Sequence, residues 1–291
     1  MLGTAAAAVG AVGLGAVGVE TGVLPGRTRA YDVLGLNGSG GTVPATATGE
    51  LVTGSFPSSR RRTEVGWGIA YPPGSATDAA LPVVVALHGR GETHGVMFGD
   101  RLGLDHFLAA AVAGGSPPYA LAAVDGGDTY WHPRASGEDA GAMVAEEFLP
   151  LLAARGLRAG RSDRIGMYGF SMGGYGVLRL AGLLGADRVA AVVAVSAALW
   201  TSAGDTAPGA FDDAADFTAH DVFGRQTDLD GIAVRLDCGR GDPFQAAVHR
   251  YRDGFAAARR PAGGFQAGAH DLDYWRRSAP PELAFLSDRL R

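Results

Sequence analysis

From about position 63 onward, the chain alternates two kinds of segment. Apolar runs too short for helices are separated by longer stretches with apolar residues at helical spacing. The short runs predict strands at Val65–Tyr71, Val83–His88, Ala120–Asp125, Arg164–Gly169, Val189–Ser196 and Ile232–Asp237, with a brief last one at Gly264–Gln266. The helical spacing predicts helices over Asp100–Ala113, Gly141–Arg155, Met172–Leu184, Gln245–Ala258 and Pro281–Leu290. Pro82-Val-Val-Val-Ala-Leu87 and Val189-Ala-Ala-Val-Val-Ala-Val195 show no polar alternation, as expected of strands covered on both faces. Strands and helices in alternation define an α/β domain: a mostly parallel central sheet with helices on both faces.

Upstream the pattern changes. Leu2 to Val19 carries no charge and is built of Ala, Gly and Val. So many glycines make a poor membrane span, so residues 1–30 read as an export-signal-like segment, with a retained anchor or a cytosolic tail as alternatives. Export implies a secreted or envelope-associated protein. The motif G-x-G-x-x-G at Gly13–Gly18 follows no strand, so a dinucleotide site is rejected. Residues 31–62 are rich in Gly, Thr, Pro and Ser and read as a flexible lead-in, leaving 63–291 as one catalytic domain.

Composition narrows the chemistry. The net charge of −5 is mild, and Arg60-Arg61-Arg62 alone forms a basic run, read as the solvated start of an edge strand; nucleic acid is not an expected partner. All 25 basic residues are arginine, so Schiff-base chemistry through lysine is ruled out. Cys238 is the single cysteine and reads as a small buried hydrophobe at a strand end. No H-E-x-x-H or paired-cysteine spacing exists, so neither a metal nor a cofactor is expected, and His132 is not read as a ligand.

Against this background, Gly169-Phe170-Ser171-Met172-Gly173 fits G-x-S-x-G at the junction of a predicted strand and a predicted helix. Such a turn needs small residues two before and two after the serine. It also sets a nucleophile at a helix N-terminus, where free N–H groups favour a developing anion. A serine needs a base, and the base an orienting acid. Downstream lie His220, His249 and His270. His249 falls within a helix and His220 in an acidic loop-like stretch, whereas His270 lies in a glycine-bearing loop after the last strand and is preferred. Asp237 and Asp242 compete as the acid; Asp242, on the loop Cys238-Gly-Arg-Gly-Asp-Pro-Phe244, is preferred to Asp237 at the strand end. The backbone N–H groups of Met172 and of Arg90, in Leu87-His-Gly-Arg-Gly-Glu92, are the expected oxyanion donors. Trp131, after the Ala120–Asp125 strand, is a candidate wall of the substrate pocket.

With "LHGRGE", "YGFSMGGYG", "CGRGDPF" and "GAHDLDYW", the chain resembles the α/β-hydrolase esterases that include esterase D (S-formylglutathione hydrolase), the feruloyl and polyhydroxybutyrate esterases and the secreted mycolyltransferases. The resemblance runs from Val65 to the C-terminus. It implies an α/β-hydrolase fold, with Ser171, Asp242 and His270 as nucleophile, acid and base, and Arg90 and Met172 as oxyanion donors. The chain departs from esterase D in its export-like leader and from the mycolyltransferases in carrying Asp rather than Glu as the acid. The expected function is therefore cofactor-free hydrolysis of a small-molecule or lipid carboxylic ester through an acyl-enzyme, with envelope or membrane association through the N-terminal segment as a further expectation. An envelope acyltransferase with the same triad, or a non-catalytic binding domain, is the alternative.

Overall fold

The computed structural model describes residues 26–290. The readings placed on 2–19, the apolar leader and the rejected glycine motif, lie outside the described residues. No helix among the described residues is long and apolar enough to cross a membrane.

The strands β1 (Leu51–Ser58), β2 (Thr63–Ala70), β3 (Val83–Leu87), β4 (Ala120–Val124), β5 (Ile165–Phe170), β6 (Val189–Val195), β7 (Ala233–Gly239) and β8 (Ala262–Gln266) form one sheet in the order β1-β2-β4-β3-β5-β6-β7-β8. The β1–β2 and β2–β4 pairs are antiparallel, and every pair from β4 to β8 is parallel. The helices that bear on the site are α1 (Arg27–Val33), α2 (Leu104–Ala113), α3 (Ala140–Met143), α4 (Leu149–Ala154), α5 (Met172–Leu184), α6 (Ala214–His220), α7 (Gln245–Asp253) and α8 (Leu272–Ser287). A π turn, Val144–Phe148, joins α3 to α4.

The continuous apolar runs are explained by two cores. Val83, Val85 and Leu87 face a core with Phe148, Met172, Leu180 and Tyr251, while Val84 and Ala86 face a second with Leu104, Phe107, Leu283 and Leu286. Successive residues of a strand point to opposite faces, and here both faces are dry. Each fully buried Val or Leu contributes about 1.5–3 kcal/mol.

Several elements differ from the sequence reading: the loop-like stretch around His220 is the helix α6, α7 ends at Asp253 rather than Ala258, and three further differences bear on the site. The segment read as a lead-in contains β1, whose residues pair from Leu51 with Ala70 to Ser58 with Thr63. Its other residues are tied down: Gly41 N–H donates to Asp273 O at 2.8 Å, and Arg277 donates to the carbonyls of Asn37 and Ser39. The arginine run is the β1–β2 turn rather than the start of a strand, with Arg60 paired to Glu146 and Arg61, only 8% exposed, paired to Glu138. The last helix begins at Leu272, not Pro281, because Asp271 caps it by accepting from Tyr274 N–H at 2.9 Å; Pro280 and Pro281 lie inside it. Cys238 is buried in β7, as expected.

Candidate active site

The loops after β3, β5, β6, β7 and β8 meet at the carboxyl edge of the sheet, where open α/β sheets place their ligand sites. At the centre, Ser171 stands between β5 and α5 with φ 54° and ψ −120°, a conformation costly for any residue with a side chain. The surroundings impose it. Ser171 N–H donates to Val195 O at 2.9 Å, and Ser171 O accepts from Ala198 N–H at 2.9 Å. A Cβ on Gly169 would strike the carbonyl of Gly173, and one on Gly173 would strike the carbonyl of Leu87. One on Gly174 would come within 2.9 Å of the Ala197 Cα. The glycines therefore let the turn lie directly on β3 and on the loop after β6.

Three side chains from distant segments form one row. Ser171 Oγ lies 2.9 Å from His270 Nε2, and His270 Nδ1 lies 2.8 Å from Asp242 Oδ2. The Asp242 side chain is wholly buried, and its other oxygen accepts from Phe244 N–H at 2.8 Å. Both carboxylate oxygens accept hydrogen bonds, which fixes the side chain; Nδ1 of His270 then carries the N–H, and Nε2 is left as an acceptor for the serine proton. Asp237, the competing acid, is turned away: it pairs with Arg235 at 2.5 Å and accepts from Gly264 N–H at 3.1 Å. His249 lies on the exposed side of α7 against Asp253, and His220 pairs with Asp216 on α6.

Met172 is the first residue of α5, so its N–H has no intrahelical acceptor. Arg90 lies on the loop after β3, alongside the serine turn, because Leu87 is paired with Gly169 and a Cβ on Gly89 would strike the Phe170 ring. A residue missed in the sequence, His88, sets this loop. His88 is fully buried; its Nε2 accepts from Gly126 N–H at 2.9 Å, so its Nδ1–H donates to Gly89 O at 2.7 Å. Burial lowers its pKa below the ordinary histidine value, which keeps the ring neutral and this tautomer in place. The Gly89 carbonyl and the Arg90 N–H share one trans peptide plane and point in opposite directions, so anchoring the first aims the second. The G in "LHG" gave the turn away; the histidine gave no signal beyond its position.

Trp131 does not wall a pocket. It is fully buried beneath α5, where a Cβ on Gly126 or Gly176 would collide with its ring, and it meets His88 edge-on at 5.2 Å. Its aromatic bulk fills the core under the site. An open cleft of about 570 Å³ is lined instead by Leu199, Trp200, Pro243, Phe244, Ala247 and Arg250. The Phe244 ring is 5.3 Å from the His270 ring, which puts the cleft beside the row of three.

A family model described as "Putative esterase" matches residues 58–286. The chain belongs to this esterase family and, as a class, is a carboxylic-ester hydrolase; its likeness to solved structures shows the α/β-hydrolase fold. Among solved structures it is similar to a ferulic acid esterase (20% identity, TM-score 0.71, covering 83% of this chain and 99% of that one). It is also similar to an S-formylglutathione hydrolase from Agrobacterium tumefaciens (17%, 0.68, 86% and 100%). A third is a ferulic acid esterase from Anaeromyces mucronatus (17%, 0.63, 84% and 92%). No curated protein matches the chain significantly.

Proposed function

We propose that this esterase works through Ser171, His270 and Asp242 by way of a covalent acyl-enzyme. The observation that carries the reading is the unbroken row from Ser171 Oγ through His270 to the buried Asp242 carboxylate. As Ser171 Oγ attacks the ester carbonyl carbon, His270 Nε2 takes its proton, and Asp242 stabilises the imidazolium without accepting that proton. The oxygen of the tetrahedral adduct receives the Met172 and Arg90 N–H groups. Collapse breaks the C–O bond; the alcohol departs with the proton from His270, leaving an acyl-serine. Water then attacks, giving its proton to His270, and the second adduct collapses to the free acid and the restored serine hydroxyl. The apolar cleft with Trp200 and Phe244 favours a bulky or aromatic group beside the ester.

The test is turnover of p-nitrophenyl esters together with labelling by a fluorophosphonate. Wild-type protein is expected to hydrolyse the esters and take up one label on Ser171, and Ser171→Ala to do neither; hydrolysis retained by that variant refutes the assignment.

A further inference from the structure

Three ligand-type side chains that the sequence spacing never linked come together behind the cleft. His132 follows β4, while Asp216 and His220 lie one turn apart on α6, in the long excursion between β6 and β7. One donor atom of each lies within 4.8 Å of the others. His220 Nδ1 is 2.8 Å and His132 Nδ1 is 3.8 Å from Asp216 Oδ1, and the two imidazoles stack with centroids 4.6 Å apart. The His132 side chain is completely buried, and those of Asp216 and His220 are partly buried.

The hydrogen bonding of a neutral His132 leaves one conflict, which a bound cation would relieve. Its Nε2 lies 3.1 Å from Ala210 O and its Nδ1 lies 2.9 Å from Pro133 O. A neutral imidazole has one N–H, so one ring nitrogen must face a carbonyl oxygen lone pair to lone pair. A proton there would make a buried imidazolium. A metal ion resolves the conflict with the pattern common around protein metal sites: Nε2–H donates to the Ala210 carbonyl, fixing the tautomer, and Nδ1 binds the ion.

The geometry points to a divalent transition-metal site, of the zinc type, formed by His132 Nδ1, Asp216 Oδ1 and His220 Nδ1. Two imidazoles and one carboxylate suit zinc and its late first-row neighbours rather than calcium or magnesium, which prefer all-oxygen shells. The site is structural. It joins the loop after β4, where Tyr130 and Trp131 hold positive φ angles of 55° and 56°, to the excursion that supplies the wall of the cleft. The joint is continuous with that wall: His132 stacks on Phe211 at 4.9 Å, and Phe211 meets Trp200 and Tyr130 at about 6 Å.

The experiment uses the full chain, stripped with a chelator and dialysed, then titrated with Zn2+ and, separately, Co2+. Zinc at about 100-fold its Kd is expected to raise Tm by about 5–10 °C. Cobalt is expected to give the intense visible bands of a four-coordinate ion, displaced by zinc. His220→Ala and Asp216→Asn are expected to abolish both signals while still folding, since each residue is partly at the surface. His270→Gln and His249→Ala are expected to retain both signals, which excludes the catalytic imidazole and a surface histidine as the ligand. An unchanged Tm with no cobalt bands overturns the site, and so does a response that survives in His220→Ala and Asp216→Asn. Loss of the response in His270→Gln overturns it in favour of metal at the serine site. Because none of these readouts is turnover, the site stands or falls apart from the ester chemistry.

Discussion

The α-carbon of Gly173 rests against the carbonyl of Leu87, so the turn that carries Ser171 is seated on the end of the neighbouring strand with no room for a methyl group. Gly173→Ala is expected to destabilise by about 1–3 kcal/mol or more, as overpacking against rigid backbone does. It should also lose activity beyond what its lower stability explains, because relief of the clash moves Ser171 relative to the loop bearing Arg90. Denaturant melts alongside kcat at a temperature well below Tm separate the two effects.

Ser171 itself is held in a left-handed conformation. Ser171→Gly should be both inactive and more stable than the wild type, by about 1 kcal/mol, because glycine adopts that conformation without strain. Ser171→Ala should lose activity to a similar extent, a fall in kcat of about 10^6, with no gain in stability. A calorimetric comparison of the three proteins checks this.

Asp242 and Asp237 are both buried, yet only the first touches His270. Asp242→Asn is expected to lower kcat about 10^4-fold by favouring the wrong imidazole tautomer. Asp237→Asn should leave kcat within a few-fold and show its effect in stability instead. Equal losses of kcat in the two variants would return the choice of acid to an open state.

Removing the His88 ring frees the Gly89–Arg90 peptide to rotate. Loss of a whole oxyanion donor costs about 10^2–10^3 in kcat, so His88→Ala should fall near or below that range, with KM little changed. The matching readout is weaker binding of a boronic acid transition-state analogue with unchanged binding of the product acid.

Glu282, on α8, is fully buried, and neither of its oxygens has a well-formed hydrogen bond. Burial, followed by the nearby Asp237 charge, pushes its pKa well above the ordinary carboxylate value; Ser278 and Arg235 act in the opposite direction, and Tyr168 and Tyr274 also face the group. The native state therefore binds a proton that the unfolded chain releases near its ordinary pKa. Stability must then decline as pH rises from the unfolded value towards the raised native one. Glu282→Gln should flatten that decline. Urea melts from about pH 5 to about pH 9 give the two slopes.

The sheet's central strands were readable because they are buried on both faces and so carry unbroken apolar runs, and the serine turn because steric crowding there admits only glycine. β1 was missed for the opposite reason: Leu51–Ser58 lies at the edge with most side chains exposed, so neither alternation nor an apolar run marks it. The start of α8 was hidden because Pro280 and Pro281 sit within it, where proline usually signals a first turn. Trp131 was placed on the correct loop, but a positive φ at two successive residues turns it inward, and one sequence does not display such a backbone. His132, Asp216 and His220 were unreadable as a group because their proximity is created entirely by how the excursion after β6 folds back.

The segment ahead of the family match has its own bearing on His270. Gly41 and Arg277 tie it to the helix that begins just after His270, while Tyr31 and Asn37 crowd Gly241, next to Asp242. A shortened protein trimmed to residue 58, where the shared family region starts, would thus keep Ser171, Asp242 and His270 yet release the brace on the last two. A truncation or fusion that keeps these two loops steady must therefore leave residues 26–57 in place.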